Sequence, residues 1–328
     1  MTDAGLLVID DLHVHYTLTR PHLFAARPVL RAVDGVSLSI DRGRTLGLVG
    51  ESGCGKTTLG MAVLRLVEPT GGRVDFDGVE LRSLEGDALL DVRRRMQIIF
   101  QDPYSSLNPR QTAGDIVRGP LDVQKVGSPA EREERVAELF SLVGLRANQR
   151  NLFPHQFSGG QRQRISIARA LALNPDFIVC DEPVSALDVA IQAQILNLLC
   201  DLQEELHLTF LFISHDLAVV QHICDEIAVM YLGVVVEKTN RKTLFRNPRH
   251  PYTRALLSAV PARRGTRKVE RIRLEGDIPS PISVPSGCRF HTRCAHAQER
   301  CRAEVPKLVE KSPGHWEACH FDTSRRTG

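Results

Sequence analysis

One glycine-rich segment has the residue types and the spacing needed to bind a polyphosphate. Residues 50–57 read GESGCGKT, which fits the pattern G-x-x-x-x-G-K-[ST] of a phosphate-binding loop. The glycines allow the backbone to wrap around an anion, so that amide groups of the loop point at phosphate oxygens. Lys56 can then reach the β- and γ-phosphates, and Thr57 can offer its hydroxyl to Mg²⁺. The segment predicts a nucleotide site; the alternative is a glycine-rich turn that matches by accident.

A pair of carboxylates follows a strongly apolar segment further along the chain. Residues 177–182 read FIVCDE, which is typical of a buried strand that ends in Asp181 and Glu182. At the carboxyl end of such a strand Asp181 is placed to hold Mg²⁺, and Glu182 to polarise an attacking water as general base. Alone, the pair fits a solvated turn equally well. Beside a phosphate loop it predicts hydrolysis.

A second glycine-containing segment precedes a helix. Residues 157–161 read FSGGQ and are followed by an apolar-striped helical pattern that stops at Asn174 and Pro175. Ser158 and the glycines therefore lie at a helix N-terminus, which attracts anions but has no lysine of its own. A serine N-cap with glycines for close packing explains the serine but not the Gly-Gly-Gln after it. The segment predicts contact with the γ-phosphate of ATP on another phosphate loop.

The elements that must position these residues alternate between strands and helices. Residues 45–50, 176–183 and 209–216 have the composition of strands buried on both faces, and residues 189–206 between the last two are helix-like. Residues 88–165 are more charged and mostly helical in pattern. The order predicts an α/β fold with a parallel sheet interrupted by a helical insertion.

Composition excludes several classes of protein. The 328 residues carry 42 Lys+Arg and 39 Asp+Glu, a net charge of +3, so the chain has no strong global field for nucleic acid or an anionic membrane. The longest nearly unbroken apolar stretch, residues 227–236, is about half of what a membrane-spanning helix needs. The acidic start lacks a signal-peptide pattern. We expect a cytoplasmic protein.

The motifs and their order resemble the ATP-binding cassette (ABC) subunits of membrane transporters across residues 6 to about 245. Walker A corresponds to Gly50–Thr57, Walker B to Phe177–Asp181 and the signature motif to Ser158–Gln161. The resemblance further implies that Gln101 contacts Mg²⁺ and the attacking water, that residues 185–188 form the D-loop and that His215 contacts the γ-phosphate. It also implies that Tyr16 stacks on adenine. The implied nucleotide-binding residues are Tyr16, Gly50, Glu51, Ser52, Gly53, Cys54, Gly55, Lys56, Thr57, Thr58, Gln101, Ser158, Gly159, Gly160, Gln161 and Asp181, with Thr57, Gln101 and Asp181 around Mg²⁺.

The resemblance implies a fold of class α/β, a P-loop NTPase (RecA-like) ABC nucleotide-binding domain with an inserted helical subdomain. We expect the ATPase domain to span residues 6–245, with the core in 6–90 and 166–245 and the helical subdomain in about 91–165. Residues 246–328 resemble the C-terminal extension of the oligopeptide and dipeptide importer ATPases, a subfamily that also handles nickel, glutathione and related solutes. A basic stretch at 263–273 in this extension is more typical of a solvated face than of a nucleic-acid site.

Four of the eight cysteines lie in the last 41 residues, with the spacing C-x5-C-x6-C-x17-C. In a cytosolic chain such a cluster more often binds metal than forms disulfides, and the spacing differs from the C-x2-C pairs of common zinc modules. The resemblance implies a [4Fe-4S] cluster on Cys288, Cys294, Cys301 and Cys319; zinc and four unmetallated thiols are the alternatives. Nearby His291, His296, His315 and His320 are expected to support the site or to be bystanders.

The resemblance implies a peripheral ATPase on the cytoplasmic side of the membrane that energises peptide uptake. Its expected partners are a second ABC ATPase, most simply a paralogue, two transmembrane permease subunits and, through them, an extracytoplasmic solute-binding protein. Residues 102–118 are the expected permease contact. The alternatives are a soluble ABC ATPase that acts on nucleic acid or ribosomes and an iron-sulfur redox enzyme. The chain has neither the tandem cassettes nor the strong basic surface typical of the first, and no further catalytic group near its cysteines.

Overall fold

The computed structural model describes residues 5–20, 26–259 and 271–321. These residues form two compact units. The first comprises the described parts of residues 1–40, 45–82 and 214–328, and the second comprises residues 41–44 and 83–213. Four of the basic residues noted in the sequence, Arg263, Arg264, Arg267 and Lys268, lie outside the described residues.

The secondary structure alternates in chain order. The strands are β1 (Leu7–Thr17), β2 (Val29–Ile40), β3 (Thr45–Val49), β4 (Gly71–Phe76), β5 (Val79–Glu80), β6 (Met96–Ile99), β7 (Phe177–Asp181), β8 (Thr209–Ser214), β9 (Glu226–Tyr231), β10 (Val234–Asn240), β11 (Val309–Ser312) and β12 (His315–Glu317). The helices are α1 (Lys56–Val63), α2 (Gly86–Arg95), α3 (Ala113–Val123), α4 (Pro129–Leu142), α5 (Gly159–Leu171), α6 (Val189–Leu206), α7 (Leu217–Ile223), α8 (Arg241–Arg246), α9 (Pro251–Ser258) and α10 (Glu299–Ala303).

The first unit contains an antiparallel sheet in the order β2-β1-β4-β5. Strands β1 and β2 alternate between buried apolar and exposed polar residues, which leaves one face of this sheet for the core and the other for solvent. This alternation predicts the two strands. It does not predict that β1 pairs with β4 across the phosphate loop and α1, because register between strands so far apart is set by tertiary packing.

The first unit also contains strands in the order β3-β9-β10-β12-β11, with β3 parallel to β9 and the remaining pairs antiparallel. Strand β3 is buried along its whole length and delivers the chain to the phosphate loop. The helix that follows, α1, ends at Val63, and Arg65 has a left-handed backbone with φ of 51°.

Strands β11 and β12 come from the predicted C-terminal extension, where the sequence shows no clear strand period. Strand β12 pairs with β10 through Glu317 opposite Glu237 and Trp316 opposite Lys238. The extension is therefore built into a sheet of the first unit.

The second unit carries a parallel sheet in the order β8-β7-β6. Strands β7 and β8 are buried throughout, and α6 connects them, as the apolar segments of the sequence predict. The helices α3, α4 and α5 form the inserted helical part, and each begins with a reciprocal capping box, at Thr112, Ser128 and Ser158. Among the described helices, none combines the length and apolar character required to cross a membrane.

Candidate functional site

The residues predicted for the nucleotide site belong to both units. Tyr16, the loop at 50–58 and His215 lie in the first unit. Gln101, the segment 158–161 and the pair Asp181 and Glu182 lie in the second unit.

Two glycines of the loop occupy positions that no other residue type fits. A Cβ atom on Gly50 would lie 2.2 Å from the carbonyl oxygen of Met230, and one on Gly55 would lie 2.0 Å from that of Ala32. Gly55 also has a φ of 105°, which L-residues rarely adopt. The loop is thus pressed against the backbone around it, which is the close backbone approach that the phosphate-loop pattern requires.

Lys56 is the first residue of α1 and is only 5% exposed. Its ammonium group donates hydrogen bonds to the carbonyl oxygens of Gly50, at 2.8 Å, and Glu51, at 3.0 Å. The charge of the lysine is therefore held at the loop itself. Burial raises the pKa of the neighbouring Cys54 thiol, so Cys54 fills space in the loop and carries no charge.

The other predicted residues of the first unit are accessible to a ligand. Ser52, Gly53 and Thr57 are exposed, and Thr58 is half-buried. Tyr16 lies near the end of β1 with 39% of its surface exposed, and exposed His215 directly follows β8.

In the second unit, the structure brings Gln101 and Glu182 together. Asp181 is buried at the carboxyl end of β7, and Glu182 follows it. The amide nitrogen of Gln101, two residues after β6, donates a hydrogen bond of 3.0 Å to a carboxylate oxygen of Glu182. Neighbouring parallel strands β6 and β7 end at the same edge of the sheet, so two residues 81 positions apart meet there.

The backbone of Glu182 is left-handed, with φ of 47°. Its amide donates to the carbonyl oxygen of Ile213, and its carbonyl oxygen accepts from the amide and the hydroxyl of Ser185. A non-glycine residue in this conformation is strained, and such strain persists where surrounding contacts enforce it. These three hydrogen bonds fix the backbone of Glu182 and therefore the position from which its side chain extends.

The segment 158–161 has a structural role that the sequence argument missed. Ser158 caps α5, its hydroxyl accepting from the amide of Gln161 while the side chain of Gln161 accepts from the amide of Ser158. A Cβ on Gly160 would lie 2.5 Å from the side chain of Ile191. Capping and close packing therefore explain Gln161 and Gly160 as well as Ser158. The prediction from the sequence that capping and packing explain only the serine is wrong.

The four cysteines of the extension line one small apolar cavity. Its walls are formed by His250, Pro251, Cys288, Phe290, His291, Cys294, His296, Cys301, Cys319, His320 and Phe321. Burial raises the pKa of Cys288 to about 11 and of Cys319 to about 12, so these thiols stay protonated unless a cation compensates the charge. His315 is separate from the cavity lining, buried and hydrogen-bonded to Glu237 at 2.7 Å.

Three side chains at the antiparallel sheet form a further polar cluster. The rings of His13 and His15 are hydrogen-bonded to one carboxylate oxygen of Asp34, at 3.1 and 2.8 Å. The other carboxylate oxygen is paired with Arg289 and, at 3.6 Å, with Arg31. The arginines already supply the positive charge that this carboxylate needs, so the cluster is explained as an ion-paired network.

Two residues of the extension contact the phosphate loop, and the sequence gives no sign of either. Arg293 forms an ion pair with the carboxylate of Glu51, and the hydroxyl of Tyr252 accepts a hydrogen bond from the Glu51 amide. They lie 242 and 201 positions from Glu51, and no motif connects residues so far apart.

Comparison with known proteins covers both parts of the chain. Residues 33–185 match the family described as ABC transporter, and residues 236–301 match the family described as oligopeptide/dipeptide transporter, C-terminal region. Among solved structures, the dimeric ATP-binding cassette MJ0796 bound to ADP and Pi has a TM-score of 0.63 and 32% identity, covering 72% of this chain and 98% of that one. CbiO1 from Clostridium perfringens, part of the ABC transporter complex cbiONQ, also has a TM-score of 0.63, with 27% identity over 74% of this chain and 91% of that one.

Curated relatives match nearly the whole chain. The oligopeptide transport ATP-binding protein AppF of Bacillus subtilis is 53% identical over 89% of this chain and 90% of its own length. The dipeptide transport ATP-binding protein DppF of Haemophilus influenzae is 49% identical over 94% of each chain. With the phosphate loop, the carboxylate pair and the extension all present, the chain belongs to the family of oligopeptide and dipeptide ABC transporter ATP-binding subunits.

Proposed function

We propose that this protein hydrolyses ATP to drive the uptake of dipeptides, oligopeptides or related small solutes through a membrane permease. The observation that carries the proposal is a phosphate loop with glycines at two sterically closed positions, in a chain whose C-terminal part matches the oligopeptide/dipeptide transporter region. The names of the relatives support peptides as the cargo.

Within this proposal the first unit binds the triphosphate. Loop amides and Lys56 bind the phosphates, whose oxygens replace the loop carbonyls as acceptors for the lysine. Tyr16 stacks on the adenine ring, and His215 contacts the γ-phosphate. Thr57, Gln101 and Asp181 hold Mg²⁺, which neutralises charge on the phosphate oxygens.

The second unit supplies the hydrolytic residue. Glu182 polarises the attacking water, and Gln101, which hydrogen-bonds to its carboxylate, orients that side chain. The strained backbone of Glu182 supports this role, since strain that is enforced by neighbours is common at sites that must hold one geometry.

We further propose that two ATPase subunits pair head to tail, most simply this chain and a paralogue. Each ATP then lies between the loop of one subunit and Ser158–Gln161 of the other. Two transmembrane permease subunits are the membrane partners, with residues 102–118 as the contact and a solute-binding protein outside. The protein is accordingly peripheral, on the cytoplasmic side, with residues 6–245 as the ATPase domain and 246–328 as the extension.

We propose a [4Fe-4S] cluster as the group on Cys288, Cys294, Cys301 and Cys319. The donor set suits it, because four thiols line one apolar cavity. Zinc on the same four thiols and four unmetallated thiols are the alternatives.

Metal analysis tests the cluster. Anaerobic reconstitution of the full chain should yield about four iron and four sulfide per chain, and replacing Cys301 by Ser should reduce both. Stoichiometric zinc without iron would refute the cluster, and so would a reconstituted protein that contains neither metal.

The transport function is tested in the assembled complex. The chain should copurify with integral-membrane subunits, and cells that contain the complex should take up labelled peptides, with uptake lost when Lys56 is replaced by Ala. ATPase activity stimulated by nucleic acid, together with no association with membrane subunits, would favour the soluble ABC ATPase instead.

A further inference from the structure

The phosphate loop carries a negative charge at its second residue, where a triphosphate must be attracted. Glu51 is half-buried, and both of its carboxylate oxygens are bound by the guanidinium of Arg293, at 2.6 and 3.1 Å. The side chain of Arg293 is only 7% exposed. Two-point pairing at a largely buried site fixes both partners more firmly than a surface ion pair does.

A second contact holds the backbone of the same residue. The amide of Glu51 donates a hydrogen bond of 2.9 Å to the hydroxyl of Tyr252. The Tyr252 ring is fully buried and packs edge-on against Tyr231, with ring centroids 4.7 Å apart. It also lies tilted against Phe290, with ring centroids 5.4 Å apart. Burial raises the pKa of Tyr252, so its hydroxyl stays neutral.

Arg293 projects from a segment that is itself fixed. Arg289, four residues earlier, binds the carbonyl oxygen of Leu232 and the carboxylate of Asp34. The amide of Arg293 donates to the carbonyl oxygen of Phe290, which closes a turn just before Cys294. Hydrogen bonds within the first unit thus hold the segment from which Arg293 projects.

We propose that Arg293 and Tyr252 are positioning residues for ATP, through which the C-terminal extension forms part of the nucleotide site. Arg293 neutralises and orients Glu51, and Tyr252 holds the loop backbone at the same residue. Without Arg293, the carboxylate of Glu51 would face the phosphates uncompensated and repel them. The inference rests on ATP binding at this loop, as proposed above.

A double-mutant cycle in the complete transporter tests the electrostatic part. Arg293→Gln should raise the KM for ATP about five- to tenfold, with kcat within about twofold, because it adds repulsion in the bound ground state without touching the hydrolytic residue. Arg293→Lys should restore much of the loss. In a Glu51→Gln background, Arg293→Gln should change KM by less than about twofold, because the charge to be compensated is gone.

Tyr252→Phe tests the backbone contact, since it keeps the ring and removes the acceptor. It should raise the KM about three- to fivefold, the usual effect of one lost hydrogen bond. Arg300→Gln is the matched control: its ion pair with Glu304 is exposed and lies in the same extension, so KM should not change. Thermal unfolding without nucleotide establishes that each variant is folded.

The inference is overturned if Arg293→Gln leaves KM unchanged, or raises it equally whether Glu51 is retained or replaced by glutamine. A fluorescent ATP analogue gives the matching dissociation constants and separates this failure from that of the proposed function. If the unmodified complex binds the analogue and the variants match it, only the positioning inference fails; if the unmodified complex does not bind it, the proposed function fails.

Discussion

Glu182 combines a strained backbone with a side chain that is hydrogen-bonded to Gln101. The strain is maintained by the bonds to Ile213 and Ser185, which set the position of the carboxylate before any ligand arrives. A general base needs such placement, because proton transfer falls off steeply with distance.

We expect Glu182→Gln to retain ATP binding and to lower turnover at least about 100-fold, since glutamine keeps the shape but cannot accept the proton. Steady-state phosphate release and nucleotide binding are the measurements. Glu204→Gln, an exposed substitution on α6, is the control and should leave turnover unchanged. Turnover that survives in Glu182→Gln would remove Glu182 from the mechanism.

Two glycines of the phosphate loop allow the cost of an unfavourable backbone conformation to be compared with the cost of a steric clash. Both Gly53 and Gly55 have a positive φ, but an added Cβ meets nothing within 4 Å at Gly53 and meets the Ala32 carbonyl oxygen at 2.0 Å at Gly55. Gly53→Ala should cost about 1 kcal/mol of unfolding free energy. Gly55→Ala should cost clearly more and abolish ATP binding, because the loop must move.

Urea unfolding and nucleotide binding provide the comparison. Equal losses in the two alanine variants would mean that the carbonyl of Ala32 does not constrain the loop.

The residue types at the nucleotide site were predictable because each motif is contiguous. A phosphate loop or an acidic pair is defined within eight residues, and the physical reason for each residue is local. The partners of Glu51 were not predictable, because Arg293 and Tyr252 reach it only through the tertiary fold. In the sequence, Arg293 is a basic residue beside a cysteine. That pattern fits a solvated side chain as well as it fits an ion pair with a distant loop.

At the scale of elements, the start of α5 serves two purposes. Ser158 caps the helix with the same reciprocal bonds that Ser128 provides to α4. Ser158 can therefore cap α5 without contacting a nucleotide on another subunit. Ser128, which caps α4 in the same way, is the matched control for Ser158.

Replacing either serine with Ala should lower the free energy of unfolding by about 1 kcal/mol, the usual value for a lost N-cap. Only Ser158→Ala should also lower ATP turnover, because only Ser158 is proposed to contact the phosphate. Similar turnover in both variants, measured under conditions where both are folded, would reduce the segment 158–161 to a helix cap.

The sequence predicts the elements that have a long apolar pattern. It does not predict the elements that form only because a neighbouring strand pairs with them. Strands β7 and β8 follow from their sequence, because burial on both faces leaves a continuous apolar run. Helix α6 follows from the helical spacing of its apolar residues, which are buried on one side. Strand β12 reads His-Trp-Glu, which has no strand signature. It becomes a strand because β10 offers an edge, and Glu237 in β10 receives the hydrogen bonds of His315 and of the amides of Arg249 and His250.

At the scale of the whole molecule, the pair Asp34 and Arg289 ties the extension to the N-terminal sheet. Burial alone would raise the pKa of Asp34, but the hydrogen bond and charge of Arg289, with the bonds from His15 and His13, outweigh it and lower the pKa to about 2. The folded protein thus binds a proton at this carboxyl less readily than the unfolded chain does. The resulting stabilisation is present above about pH 4 and is lost as the pH falls towards about 2.

Asp34→Asn should remove this pH dependence. Between about pH 5 and about pH 3 the free energy of unfolding of the variant should fall about 1 kcal/mol less than that of the unmodified protein, although the variant starts from a lower value. Urea unfolding at the two pH values measures the difference. Equal losses would mean that Asp34 does not titrate with a lowered pKa.

The ion pair between Glu51 and Arg293 also sets an order of events during synthesis. The ribosome adds Arg293 later than Glu51, at a position 242 residues further along the chain. Contacts of such long sequence separation close late in folding. A nascent chain that has already completed its phosphate loop and α1 therefore still lacks the support for that loop, and only a protein translated past residue 293 acquires it.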